Sequence, residues 1–150
     1  MSVVETSIAD GIGRIHLNRP EHMNAITVEL GHELETALRA LSINPDVTVV
    51  VIRGRGSNFC VGGDFKEVER LRADGPSALR PLFDNFGAAC AAIDDLDVPV
   101  VAAVEGYAMA GGFELMQAAD LVLVRDDAKV ADNHSNFGQV RGGGGSQRLP

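Results

Sequence analysis

With 150 residues, 45% of them hydrophobic and 23% charged, the chain can build one packed α/β core and is too apolar throughout to be disordered. A formal net charge of −8 excludes nucleic acid as the main partner, because phosphate backbones require clustered Lys and Arg. No apolar run reaches the roughly 20 residues of a membrane span, and the first residues show no basic stretch followed by an apolar one. Cys60 and Cys90 form neither a disulfide framework nor a metal-ligand spacing. The expectations are therefore no membrane, no metal, no nucleic acid and a cytoplasmic location, with a small anionic ligand still allowed at a helix N-terminus.

In chain order, Val3–Ala9 and Gly13–Leu17 read as two strands joined by the turn signal Asp10-Gly11. Thr27 suits the N-cap of a helix to about Ser42, with Leu30, Leu34, Ala37, Leu38 and Leu41 on one face. The β-branched run Val47–Ile52 predicts a strand buried on both faces, as in parallel sheets. A helix follows from Asp64, Asp74-Gly75-Pro76 breaks it, and a longer helix covers 77–94. A second buried strand, Val98–Val104, leads through the glycine loop Gly106–Gly112 into a short helix (112–119) and a strand, Leu121–Val124. Strand, glycine loop, helix, strand is the logic of a sheet whose ligands bind at the carboxyl ends of its strands. Gly142–Gly145 imitates a flexible linker, yet only Gln147–Pro150 follows; this reads as a chain that stops before its domain does.

Two glycine-rich segments, Cys60–Asp64 and Ala110–Glu114, carry the clearest chemistry. Adjacent glycines let the backbone approach a ligand closely, and the second pair opens a helix whose free N–H groups suit an anion or a developing oxyanion. Each has a plainer reading, a tight strand-to-helix turn for the first and a dipole-favoured carboxylate for Glu114. Neither loop continues into the Gly-Lys-Ser/Thr of a phosphate loop. Cys60 has no basic partner and reads as a buried filler rather than a nucleophile. His134 is a candidate acid or base or an ordinary structural histidine; His16, His22 and His32 are assigned nothing.

The residues resemble, in series, a known family. Asn18-Arg19-Pro20, Asn24-Ala25, Phe59–Asp64, Pro99–Ala108, Ala110–Leu115, Ala119-Asp120 and Gly144–Pro150 are similar to the first half of the crotonase superfamily, the enoyl-CoA hydratase/isomerase family. The resemblance implies an α/β fold, a spiral of ββα units, with residues 1–150 as the N-terminal part of one catalytic domain. The C-terminal helices that trimerise and cap the CoA site would lie beyond it. It implies an acyl-CoA substrate, no cofactor besides the coenzyme A that the substrate carries, and a homotrimer or hexamer when full length. By motif, the backbone N–H groups of Gly63 and Gly111 are the oxyanion-hole donors. Asn24, Ala25, Gly62, Asp64, Phe65 and Lys66 line the coenzyme A path, with Lys66 the nearest cation for a phosphate.

One departure matters. The family's hydratases use two glutamates, and Glu114 matches the one in Gly-Gly-x-Glu. Counting back without gaps from Gln147-Arg148-Leu149 places His134 where the second belongs, and Arg141 stands where a proline is usual. A Glu114–His134 pair still supports acid/base chemistry near neutral pH. Water addition, double-bond isomerisation, hydrolytic C–C cleavage of a β-diketone or β-ketoacyl-CoA, and a non-catalytic acyl-CoA-binding homologue all fit. Asp132 either orients His134 or replaces it as a second acid.

Overall fold

The computed structural model describes residues 2–148, so Leu149 and Pro150 of the last family motif lie outside the described residues. The chain opens on an antiparallel hairpin, β1 (Val4–Ala9) and β2 (Ile12–Leu17). Asp10 and Gly11 between them both sit at positive φ, 54° and 79°, the turn geometry that matches the twist of paired strands. Helix α1 (Val28–Ser42) starts where Thr27 accepts a hydrogen bond from the Leu30 amide at 3.0 Å, satisfying one of the free N–H groups of the first turn.

Strand β3 (Val49–Gly54) pairs parallel with β2 and with β4 (Val100–Val104), and β4 pairs parallel with β6 (Leu121–Val124). The sheet order is β1-β2-β3-β4-β6. Two expectations shift here. The β-branched run begins pairing two residues late, because the Val47 amide closes a turn onto Asn44 O and the Thr48 amide bonds to Gly11 O. Nor are the central strands buried on both faces: Val50, Ile52, Val100 and Ala102 are fully buried, whereas Val49, Val51, Val101 and Ala103 are half-buried and Arg53 is exposed. The reason is that α1 and α3 (Pro76–Asp94) cover one face only within the described residues, α3 packing across α1. Leu121 and Leu123 on β6 are 60% and 66% exposed.

Between α1 and α3 lies α2 (Phe65–Ala73), capped by Asp64, whose carboxylate accepts from the Lys66 and Glu67 amides. After β4 the chain forms β5 (Tyr107–Met109) and α4 (Gly111–Ala118). Sequence reading missed a second, two-stranded sheet in which β5 pairs parallel with β7 (Lys129–Ala131), in register Met109↔Ala131. Three-residue strands carry too few side chains for an alternation pattern to show. That small sheet positions the site, because the chain leaves β5 into the start of α4 and leaves β7 towards His134, side by side.

Candidate active site

The two glycine loops are zipped together. Cys60 N donates to Tyr107 O and Met109 N to Cys60 O, both at 3.0 Å. A side chain at Gly112 would place its Cβ 2.0 Å from Cys60 O, so only glycine permits this approach. Cys60 is wholly buried, and burial pushes its thiol up to about 12, in keeping with a filler. Ala110, the residue before α4, takes φ 48°, an uncommon value for a residue with a Cβ, and its amide bonds to Ala131 O at 3.1 Å.

Gly63 sits in an isolated parallel bridge with Ile26: the Ile26 amide bonds to Gly62 O and the Asp64 amide to Ile26 O. Along an extended segment the peptide groups alternate in direction, so the Gly63 N–H faces away from Ile26's backbone. Gly63 and Gly111 line one pocket, with Ile26, Val68, Leu82, Phe83 and Phe86 as apolar wall and Glu114 and His134 as its ionisable groups. The pocket encloses about 40 Å³, enough for water but not for an acyl chain.

Glu114, on the first turn of α4, is only 1% exposed. Its Oε1 accepts hydrogen bonds from the Gly143 and Gly145 amides at 2.8 and 3.0 Å, and its Oε2 lies 3.2 Å from Nε2 of His134. The four glycines that imitate a linker are thus a strap wrapped onto a buried carboxylate. Side chains would not fit there: a Cβ at Gly143 would lie 2.7 Å from the Phe86 ring and 3.0 Å from Glu114 Cβ. His134, buried at the start of a 3-10 turn (His134–Phe137), has Nδ1 2.7 Å from Asp132 Oδ1. Asp132 Oδ2 accepts from Nε of Arg141 and pairs with its Nη2. Hydrogen bonds from Arg141 and from His134 hold the Asp132 carboxyl at about 2. Both oxygens of Asp132 are thus engaged, one by His134 and one by Arg141, the arrangement expected where Asp132 orients His134.

Residues 7–150 match the family described as enoyl-CoA hydratase/isomerase. The chain belongs to the enoyl-CoA hydratase/isomerase family. It is 36% identical over 149 residues to a Mycobacterium leprae protein named a probable enoyl-CoA hydratase, covering 97% of this chain and 56% of that protein. It is 29% identical to a peroxisomal Δ(3,5)-Δ(2,4)-dienoyl-CoA isomerase of Arabidopsis thaliana, covering 100% of this chain and 57% of the isomerase. The crystal structure of an enoyl-CoA hydratase from Polaromonas superposes with a TM-score of 0.93 at 31% identity, over 97% of this chain and 57% of that one. The mixed α/β architecture is that of crotonase-family structures, and the chain spans about half the length of the curated relatives it matches.

The other residues assigned to the family's coenzyme A path fall into two groups. Asn24 is fully buried at φ 56°; its Oδ1 accepts from the Arg19 amide, and its Nδ2 donates to the Arg55 and Asn58 carbonyls at 3.0 and 2.8 Å. Its side chain is consumed by loop closure and is not free for a ligand. Asp64 is spent in the same way. Burial works against its ionised form, but Arg19 at 2.9 Å and the capped Glu67 amide outweigh that and hold its carboxyl below the ordinary range. Ala25 O accepts from Arg19, so that residue also belongs to the clasp. Gly62, at φ 91°, abuts Ala110. Phe65, the first residue of α2, is 53% exposed with its ring 5.0 Å from that of Phe137, and Lys66 follows it. Sequence reasoning missed the Gly143 and Gly145 amides and the role of Arg141, none of which any local motif advertises. Among the described residues, no helix is long and apolar enough to cross a membrane.

Proposed function

We propose that the full-length protein transforms an acyl-CoA thioester through an enolate, with Gly63 and Gly111 as oxyanion donors and Glu114 and His134 as the acid/base pair. The observation that carries this reading is the 3.2 Å contact between Glu114 Oε2 and His134 Nε2 in a pocket that Gly63 and Gly111 also line. Two backbone N–H groups aimed at the thioester oxygen stabilise the charge that develops there. Glu114 Oε1 is tied to the strap, which leaves Oε2 to take a proton. In hydration, starting with Glu114 ionised and both nitrogens of His134 protonated, water adds its oxygen to the β-carbon while Glu114 takes a proton from it and His134 Nε2 delivers one to the α-carbon. Passage of a proton from Glu114 to His134 across their direct contact then resets the pair. In isomerisation the same two groups remove and return a proton on different carbons.

This chemistry calls on no cofactor beyond the coenzyme A of the substrate. A trimer or hexamer of the full-length protein belongs to the same reading, and the two unbridged thiols suit a cytoplasmic location. The test is to incubate the full-length protein with crotonyl-CoA and a panel of branched, cyclic and β-keto acyl-CoAs and to weigh the products. Water gained without cleavage identifies a hydratase, and unchanged mass with a moved double bond an isomerase. Water gained with release of a second acid or ring opening identifies a hydrolase. Undiminished turnover in Glu114→Gln and His134→Ala sinks the acid/base assignment.

A further inference from the structure

Both ring nitrogens of His134 meet a carboxylate, but the two carboxylates are held in opposite ways. Glu114 is fixed by backbone amides inside the pocket. Asp132 is fixed by one side chain, Arg141, which is absent from the pocket lining and has a side chain 41% exposed, against 14% for Asp132. The Arg141 fork spends both of its contacts on Oδ2 and leaves Oδ1 alone for His134. We infer that Asp132 and Arg141 are a positioning pair: Arg141 dictates which oxygen of Asp132 faces His134, and Asp132 thereby keeps the proton on Nδ1, leaving Nε2 as the only ring atom that exchanges protons beside Glu114.

The chemistry follows from donor and acceptor types. An ionised carboxylate accepts only, so the charged ring donates to both; when one proton leaves, the shorter contact, Asp132 at 2.7 Å on an oxygen that Arg141 fixes, keeps Nδ1–H, and the proton facing Glu114 at 3.2 Å is the one exchanged. A ring free to choose favours Nε2 for its proton when neutral, where it can donate to Glu114 but cannot take a proton. An isolated surface ion pair contributes little. This one sits behind a histidine that is 7% exposed, and it acts through that histidine rather than on stability. The inference rests on the acid/base reading of Glu114 and His134.

It makes an unusual prediction about Asp132→Asn. Arg141 still demands an acceptor, so the new amide turns its oxygen to Arg141 and its NH2 to His134. A donor facing Nδ1 expels the proton to Nε2. Adding Arg141→Met frees the amide to rotate, return its oxygen to Nδ1 and restore the original tautomer. The experiment uses full-length protein with ¹⁵N-labelled histidine, read by NMR at a pH where the ring is neutral, together with kcat and KM on the acyl-CoA that the product survey identifies. The parent should show Nδ1–H. Asp132→Asn should show Nε2–H and lose about 10²-fold in kcat with little change in KM, short of the roughly 10⁴-fold that a wrong tautomer costs a serine-protease triad. The double variant should recover Nδ1–H and about 10-fold of that loss. Nδ1–H retained in Asp132→Asn, or a double variant no better than the single one, overturns the positioning pair. His134→Ala is assayed alongside: if it turns over fully, the acid/base reading fails by itself, while the tautomer of His134 still decides the pair.

Discussion

The two carboxylates that flank His134 sit about one ring apart and owe nothing to the same kind of structure. Glu114 belongs to the part of the molecule that backbone geometry determines: a zipped pair of loops, a strained turn at Ala110, a helix start, and a glycine strap whose amides take Oε1. Asp132 belongs to the part that side chains determine, where a guanidinium and an imidazole divide its two oxygens. Backbone partners cannot rotate away, so Glu114 is held without help from any other charged side chain than His134. Asp132 keeps its place only while Arg141 does. The first arrangement gives a fixed acceptor, and the second gives a proton a chosen address on the ring.

The largest expected effect strikes the backbone-held side. Glu114→Gln keeps an oxygen for the strap amides but places an NH2 against His134 Nε2, removing the base. A fall of about 10³-fold in kcat is expected, within the range that a positioned acid or base supplies. His134→Ala should fall by a similar factor, and the double variant by little more than either, because two groups that act as a unit are not additive. Additive losses would separate the two residues. Next in size is Gly143→Ala. Its Cβ meets Phe86 at 2.7 Å and Glu114 at 3.0 Å, so the strap must lift. Overpacking of this kind costs about 1–3 kcal/mol, measurable as a lower Cm in urea. Unchanged stability together with unchanged kcat would show that the strap is not what fixes Glu114. Thr27→Ala, outside the pocket lining, loses the cap of α1 and about 1 kcal/mol, with kcat unaltered. It serves as the measure of a purely structural loss.

The backbone-held region was the legible one. Glycine pairs at the ends of β-branched runs leave few alternatives to close backbone approach, and Thr27 and Asp64 announce their caps by type and position. The hairpin turn and α1 were readable for the same reason, since local conformation follows from local composition. The side-chain-held region was legible only as the candidacy of His134, with Asp132 as its orienter or its substitute. Gly142–Gly145 looks like a linker because glycine's function there is to offer N–H groups and no side chain, and that is also what a linker offers. Arg141 reads as a lost proline because its partner is nine residues away across a 3-10 turn. Burial of the strands was misjudged because hydrophobic runs record that a face is apolar, not whether the described chain covers it. Asn24 and Asp64 were assigned to a ligand path, and their side chains turn out to be closing loops.

The smallest effect probes the ionic side alone. Asp132 is held at about 2, below its ordinary value of 3.8, first by Arg141 and then by His134. A carboxyl with a depressed folded-state value binds its proton more readily when unfolded, so its stabilising contribution is fully present above about pH 4 and lost as pH falls towards 2. Asp64 is also depressed, and its acid response overlaps, so the informative quantity is a difference. Urea midpoints of the parent and of Asp132→Asn should stay separated by a constant gap above pH 4, the parent the more stable, and converge between about pH 4 and 2. Glu114 supplies the contrast: replacing it removes turnover, whereas replacing Asp132 removes turnover and this acid-dependent increment together. A gap that persists unchanged to pH 2 would mean that Asp132 is held by shape rather than by charge, and the distinction between the two carboxylates would reduce to their depth.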